Sequence, residues 1–164
     1  MSFWQNWQAE KRHKKELRTQ AMAVHDRLVE RVLALTKDRG LGVDDDYDLR
    51  FDVMVFLTAF LLYKIRDKVV FSQELWEITF EGFQESLRLR GVTDIRMAAR
   101  MKQTMQDATG RRNIYIVAWE NQDQPGLRRA VGRNILNGAI PEDERINQLL
   151  KALEGFPDCV MQEI

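Results

Sequence analysis

The chain has 164 residues, of which 45% are hydrophobic and 30% charged, as expected of one globular domain with a solvated surface. Its 25 Lys and Arg balance its 25 Asp and Glu, so net charge gives no argument for a nucleic-acid partner, and we expect no DNA binding. Three prolines and nine glycines are too few for the many turns of an all-β fold. The sequence therefore predicts an all-α, single-domain bundle of about six or seven helices.

Residues 1–40 are predicted to form a long N-terminal helix, and residues 41–164 a helical core domain. Apolar side chains recur at three- and four-residue steps from Leu17 to Leu35 and therefore lie on one stripe. Gly40 and Gly42 follow, and glycines in such positions commonly end a helix. The predicted helix covers residues 4–38.

The start of this helix combines aromatic and basic side chains, namely Phe3, Trp4, Trp7, Lys11, Arg12, Lys14 and Lys15. Indole rings favour the headgroup level of a bilayer, and cations favour anionic lipid. One interpretation is therefore contact with an anionic membrane or another polyanion. The alternative is a helix extension that packs its tryptophans on the domain or on a second subunit.

An acidic run over residues 44–48 precedes an apolar helix predicted over residues 49–66. Carboxylates in this position can cap the first amides of the helix and favour the positive end of its dipole. Apolar side chains cover most sides of the helix, which is typical of a helix in the middle of a bundle.

Helical patterns continue to the end of the chain. Ser72 is the predicted N-cap of a helix that runs to Arg90, and Asp94 is the predicted cap of the next one. Gly110 is expected to break or kink the chain. The remaining helices are predicted over residues 95–108, 113–120, 125–136 and 141–154.

Side chains suited to catalysis or metal binding are sparse. His13 and His25 are the two histidines and Cys159 is the one cysteine, so neither a zinc site nor an internal disulfide is expected. The sequence contains no phosphate-binding glycine-rich loop and no nucleophile elbow. We predict a protein that binds other molecules, with no enzymatic activity, cofactor or metal ion.

The unpaired cysteine indicates a reducing compartment. The longest uncharged apolar run, residues 53–63, would rise only about 16 Å as a helix, against about 30 Å for a hydrocarbon core. It is therefore interpreted as a core helix. We expect a protein of a reducing compartment without a membrane span.

Met97, Met101 and Met105 recur every four residues along one predicted helix. Methionine adapts its shape to varied apolar segments, so this row could line a binding surface. A stripe that packs in the core is the alternative. On another side of the helix, Arg96 and Arg100 could face an acidic or phosphate-bearing partner.

Two sequence runs match a known pattern. Residues 42–52 read GVDDDYDLRFD, and residues 87–95 read LRLRGVTDI; Met101-Lys102, Met105, Gly110-Arg111 and Tyr115 follow at matching spacing. The first run resembles the opening signature of the ubiquinol–cytochrome c chaperone family, in which Gly-Val and an acidic turn lead to Gly-Arg-Phe-Asp. The second resembles the family's Leu-Arg-Glu-x-Gly-Val-Gly-Asp segment.

The resemblance covers about residues 40–120 and includes departures. Leu49 and Thr93 stand where the family usually has glycine, and Leu89 stands where it has glutamate. Glu10 and Glu16 in the first turns are not typical of a mitochondrial transit peptide. We therefore expect a divergent member of the bacterial type, and the resemblance implies a cytoplasmic protein that is either free or peripheral at the inner membrane.

The resemblance implies an assembly factor for respiratory complex III. Mitochondrial members bind newly made cytochrome b, together with a small partner protein, near the ribosomal tunnel exit. For this chain it implies a cytochrome b-like membrane protein as the client. A membrane-surface adaptor and a ribosome-associated helical protein stay open as alternatives.

Family-motif residues are the predicted partner-binding set: Asp45, Arg50, Asp52, Arg88, Asp94, Met97, Met101, Lys102, Met105, Arg111 and Tyr115. We hypothesise that the three arginines of this set form polar links between helices with its three aspartates. We further hypothesise that the methionine helix borders a groove for the client.

Overall fold

A computed structural model describes residues 3–161, apart from the side chains of Phe3, Cys159 and Met161. Within that range the chain forms seven α-helices, one short 3-10 turn and no strand, which confirms the predicted all-α bundle with a long first helix. The helices are α1 (Phe3–Thr36), α2 (Tyr47–Lys64), α3 (Val69–Leu89), α4 (Asp94–Glu120), α5 (Gln124–Ile135), α6 (Glu144–Lys151) and α7 (Phe156–Met161). The predictions for Phe3 and Cys159, and the end of the predicted core domain at residues 162–164, lie outside this description.

α2 lies at the centre of the bundle. Ten of its residues are buried, and it contacts α1, α3, α4 and α5. This agrees with a helix that is apolar on most sides. Asp46 caps it, since its Oδ1 accepts a hydrogen bond from the Leu49 N–H at 2.8 Å.

α1 divides into a packed part and an exposed part. Ala21, Val24, Leu28 and Val32 are buried on its predicted stripe, and the same core cluster includes residues from Leu41 onward. Every described side chain at positions 4–16 is exposed. The predicted division at residue 40 stays a prediction, while the buried residues of α1 complete the core of the bundle.

The predicted N-caps of α3 and α4 were wrong. α3 begins at Val69, three residues before Ser72, and the Ser72 hydroxyl instead donates to the Ile65 carbonyl in the preceding turn at 3.2 Å. For α4 the N-cap is Thr93, and Asp94 lies in the first turn of the helix. A polar side chain near the start of a helix can cap the helix or bond to the backbone of a neighbouring turn, and the path of the preceding chain decides which of the two occurs.

Gly110 does not break the chain, contrary to the prediction, because α4 continues through it to Glu120. A glycine inside a helix costs about 1 kcal/mol relative to alanine. Ala108 and Tyr115 are fully buried on either side of it. Burial of a large side chain contributes about 2 kcal/mol, which exceeds that cost.

The C-terminal region differs in detail from the prediction. The helix predicted over residues 141–154 is shorter, since Asp143 is the N-cap of α6 and its carboxylate accepts the Arg145 N–H at 2.9 Å. The short helix α7 follows it and was not predicted.

Candidate functional site

A groove of about 560 Å³ lies between α1, the start of α2 and the second half of α3. Its lining is mainly apolar, and exposed leucines lie at its edge: Leu33 is 43% and Leu89 81% exposed. The lining residues are His25, Val29, Val32, Leu33, Asp45, Asp46, Tyr47, Arg50, Phe51, Met54, Thr79, Gly82, Phe83, Glu85, Ser86, Leu89 and Arg90. An apolar groove with a polar margin is suited to binding rather than to a particular reaction.

Close packing of α1 and α3 forms one side of the groove. Arg18 on α1 donates a hydrogen bond to Glu74 on α3 at 2.7 Å, and His25 on α1 lies against Gly82 on α3. Because the residue numbers of both helices increase from the first contact to the second, the two helices run in the same direction. A Cβ atom at position 82 would lie 2.9 Å from His25 Nε2, which explains the need for glycine there. Burial lowers the pKa of His25, which favours the neutral imidazole at this position.

Aromatic rings form a continuous row that starts in the lining of the groove, with Tyr47, Phe51 and Phe83, and continues beyond the lining to Phe80 and Trp76. Centroid distances are 6.3 Å for Tyr47–Phe51, 4.8 Å for Phe51–Phe83, 5.9 Å for Phe83–Phe80 and 4.9 Å for Phe80–Trp76. The Arg90 guanidinium lies 4.6 Å from the Tyr47 ring centroid. Ring contacts of this kind hold the start of α2 against α3, so that the wall is preformed.

Arg50 and Asp45 form an ion pair at the margin of the groove. Arg50 Nε lies 2.7 Å from Asp45 Oδ1, and Nη2 lies 2.7 Å from Oδ2. The bidentate bond lowers the pKa of Asp45 and raises that of Arg50. The pair joins the acidic turn to the first turn of α2, so it is a local link and not the predicted link between helices.

Arg111 and Asp52 form the predicted link between two helices. Their ion pair joins α4 to α2, with side chains that are 31% and 13% exposed. The Arg111 guanidinium also lies 5.5 Å from the Phe51 ring centroid. This pair therefore supports the aromatic wall from the side of α4.

Arg88 does not form the hypothesised link between helices. Among residues 3–161 it lies 3.7 Å from Glu85 in its own helix, and no ion pair joins Arg88 to Asp94. The chain turns sharply between them at Gly91, whose φ of 82° suits glycine. That turn carries Asp94 into the start of α4, away from the end of α3 on which Arg88 lies.

The methionine row does not line this groove. Met97 is buried, Met101 is packed against the core and Met105 is exposed. α4 supplies none of the groove's lining residues, and Lys102 is exposed on the same helix. The structure thus agrees with the core-stripe alternative for the first two methionines.

Tyr115 is fully buried and joins α4 to its neighbours. Its hydroxyl accepts a hydrogen bond from Asn134 Nδ2 at 3.2 Å, and its ring lies edge-on to Phe56 at 5.1 Å. Burial raises the pKa of Tyr115 to about 12. Its place in the structure is in the core, at a distance from the groove lining.

The predicted membrane-contact residues do not pack on the bundle in this chain. Trp4 is 66% and Trp7 40% exposed, and their rings contact each other edge-on at 5.5 Å. The Lys11 Nζ atom lies 3.8 Å from the Trp7 centroid. Arg12, Lys14 and Lys15 are also exposed.

Sequence reasoning missed the part of the groove that α1 and α3 contribute. Met22, Val29 and Leu33 form a second apolar row beside the buried stripe of α1, and this row is the signal that could have indicated a further contact face. Leu89 stands out in the sequence only as a departure from the family's glutamate, and no apolar pattern assigns it to a groove.

No helix within residues 3–161 combines the length and hydropathy that a bilayer-spanning segment needs. No three His, Cys, Asp or Glu side chains converge in that part of the chain at a place where a metal ion could bind.

Comparison with known proteins gave two similarities. The sequence model described as ubiquinol-cytochrome C chaperone matches residues 39–157. The crystal structure of the Cbp3 homologue from Brucella abortus matches with a TM-score of 0.68 and 21% sequence identity, over 94% of this chain and 87% of that chain. No curated protein sequence gives a significant match. At this identity the structural match shows a shared fold.

Proposed function

The chain belongs to the ubiquinol–cytochrome c chaperone family, and on that premise we propose that its groove holds an apolar helix of newly made cytochrome b during assembly of respiratory complex III. The role of an assembly chaperone follows from the family. The client and its place of binding are the proposal. The observation that supports it is an apolar groove with two exposed leucines at its margin.

Helix geometry fits this use of the groove. A helix with its side chains is about 10–12 Å across, so a groove of about 560 Å³ takes one face of a helix and not the whole cylinder. Helices bind such grooves through apolar anchors at three- and four-residue steps. A membrane-spanning helix is apolar on all sides, and any of its faces can supply these anchors.

Two of the charges at the margin are paired with each other. Asp45 holds Arg50, and the Arg90 guanidinium lies over the Tyr47 ring. A client helix that covers the groove would leave the Arg50–Asp45 pair together, whereas a charge that is buried without its partner is the costly outcome. Polar groups around an apolar centre are also the usual arrangement of a protein–protein contact.

Substitution of the marginal leucines tests the proposal in cells. A strain without the gene would receive either wild-type protein, L33N/L89N or the control V117N/I140N. All four positions are exposed, but Val117 and Ile140 do not line the groove. We expect L33N/L89N to lower the level of assembled complex III and the control to restore it. Wild-type levels with L33N/L89N would contradict the proposal.

A binding measurement tests the same proposal in vitro. The probe is a labelled synthetic peptide of the first membrane-spanning helix of cytochrome b from the same organism, in mild detergent. Loss of two apolar anchors should weaken binding at least about 100-fold, since each buried leucine contributes about 1.5–3 kcal/mol and about 1.4 kcal/mol corresponds to tenfold. Equal affinity of L33N/L89N and V117N/I140N would place the client elsewhere.

A further inference from the structure

The first turns of α1 are an exposed feature that the groove does not use. We call residues 4–16 the N-terminal arm. All of its described side chains are exposed, and packing on the bundle begins at Leu17. Thirteen helical residues rise about 20 Å, so the arm extends well past the last packed turn of α1.

One face of the N-terminal arm carries both its tryptophans and most of its cations. Trp4, Trp7, Lys11 and Lys14 recur at three- and four-residue steps, and Lys15 lies beside Lys11 on the next turn. The tryptophans are at the free end of the arm and the lysines are nearer the bundle. Trp7 and Lys14 stand at seven-residue steps from the buried Ala21 and Leu28, so this face continues the buried side of α1 past the bundle, where its side chains are exposed.

We propose that the N-terminal arm docks on an anionic lipid surface, with its tryptophans at headgroup level and its lysines against the lipid phosphates. Exposed indole rings are stabilised at a bilayer interface, where the ring is partly dehydrated and its N–H stays wet. Lysines close to a negative lipid surface add electrostatic attraction. The same face therefore supplies both the apolar and the electrostatic contribution to interfacial binding.

Ring geometry favours lipid over nucleic acid. Single-stranded RNA would stack its bases on open aromatic faces. Here Lys11 Nζ lies 3.8 Å from the centre of the Trp7 ring, and Trp4 contacts Trp7 edge-on. Such a pair presents a compact apolar tip beside a cation, which suits an interface more than a stacking platform.

Further positive charge lies at the base of the arm. His13 and Glu16 line a cavity of about 590 Å³ together with residues 67–71, so the turn between α2 and α3 is beside the arm. This turn and its flanks contribute Lys64, Arg66 and Lys68 against Asp67. The charge of this end of the molecule thus complements an anionic surface.

Vesicle binding by the full chain tests the proposal. The probe is a vesicle of phosphatidylcholine and phosphatidylglycerol in equal parts, with brominated lipid as a quencher of tryptophan fluorescence. We expect co-sedimentation and quenching for the wild-type protein. W4F/W7F should lose the quenching, since Trp76 and Trp119 lie within the bundle.

Lysine variants separate the electrostatic contribution. At about 1 kcal/mol for each cation near the surface, K11Q/K14Q/K15Q should lower vesicle partitioning about 100-fold. The control K37Q/K102Q/K151Q removes three exposed lysines from other parts of the chain and should bind as the wild type does.

Three results would overturn the proposal. One is absence of binding to the anionic vesicles, and another is an equal loss in the control variant. The third is salt-sensitive binding to ribosomes that depends on the three arm lysines while vesicles stay unbound, which would assign the arm to RNA. No client takes part in these measurements, so failure here leaves the groove proposal standing.

Discussion

Arg50 and Arg111 both pair with an aspartate, yet the two pairs differ in exposure and therefore in what they contribute to stability. Arg50 is 47% exposed at the edge of the groove, whereas Arg111 is 31% exposed and its partner Asp52 only 13%. Exposed ion pairs contribute about 0–1 kcal/mol because water screens them. Loss of one partner from a buried pair costs more, since the remaining charge stays poorly solvated.

We therefore predict a larger loss of stability for R111A than for R50A. R111A leaves the Asp52 carboxylate without its partner and removes the cation above Phe51, so it should lower the free energy of unfolding by about 2–3 kcal/mol. R50A should lower it by at most about 1 kcal/mol. Urea unfolding followed by circular dichroism measures both, and equal losses would contradict this assignment.

Asp143 leads to a prediction about pH. Hydrogen bonds from the Arg145 side chain, then from its backbone N–H, lower the pKa of Asp143 from 3.8 to about 2. Because the pKa is lower in the folded state, the stabilisation is complete above about pH 4 and is lost as the pH falls through about 2. The melting temperature of D143N should lie below that of the wild type at neutral pH, and the difference should shrink toward pH 2. A difference independent of pH would count against this origin.

At the level of the elements, α4 and α5 each contain a glycine, but only the one in α5 lies where a side chain would not fit. Gly110 lies in an exposed turn of α4, where an added Cβ would have no atom within 4 Å. A Cβ at Gly132 in α5 would overlap the backbone carbonyl oxygen of Ala139. The Gly138 N–H also donates to the Gly132 carbonyl at 2.9 Å, so the chain after α5 folds back tightly on this residue.

Alanine at these two glycines should have effects of opposite sign. G110A should raise the free energy of unfolding by about 0.5–1 kcal/mol, because α4 is helical there and alanine has the higher helix propensity. G132A should lower it by about 1–3 kcal/mol through overpacking. Chemical denaturation of both variants measures the contrast. Destabilisation by G110A would indicate that the chain does break at this position.

At the scale of the whole molecule, α1 joins the two proposed binding features. Its exposed start is the N-terminal arm, and its later turns supply Val29 and Leu33 to the groove. Val29 lies fourteen residue steps after Lys15 on the same continuous helix, a rise of about 21 Å. A docked arm would therefore hold the groove within about that distance of the lipid contact, near the place where an apolar client helix has to enter the bilayer.

Removal of residues 2–15 should separate the two features. The described side chains that the deletion removes, at positions 4–15, are all exposed, so the free energy of unfolding should change by less than about 0.5 kcal/mol. Vesicle binding should be lost, and affinity for the cytochrome b peptide should stay that of the full chain. Loss of peptide binding together with vesicle binding would show that the arm belongs to the client site.

Residue patterns predicted the helical fold class and the central position of α2. Periodicity placed α2 in the centre, since side chains that are apolar in every direction can only be buried on every side. The caps of α3 and α4 and the continuity of α4 were not predictable, because a hydroxyl or a glycine has several uses and its neighbours in space select one. The functional site divides in the same way. The motif led to Arg50 and Asp45, whereas it does not include Leu33, and it marked Leu89 only as a departure from the family's glutamate.

The sequence by itself determined the helical class, the central helix and the family, since these depend on apolar spacing and on short motifs that are local in the chain. Only the tertiary structure decided where the groove lies, that Arg111 pairs with Asp52 and that Trp4 and Trp7 are exposed. The physical reason is that these features join residues far apart in the chain. Their contacts follow from how helices pack around α2, and periodicity shows which face of a helix is buried but not which helix covers it.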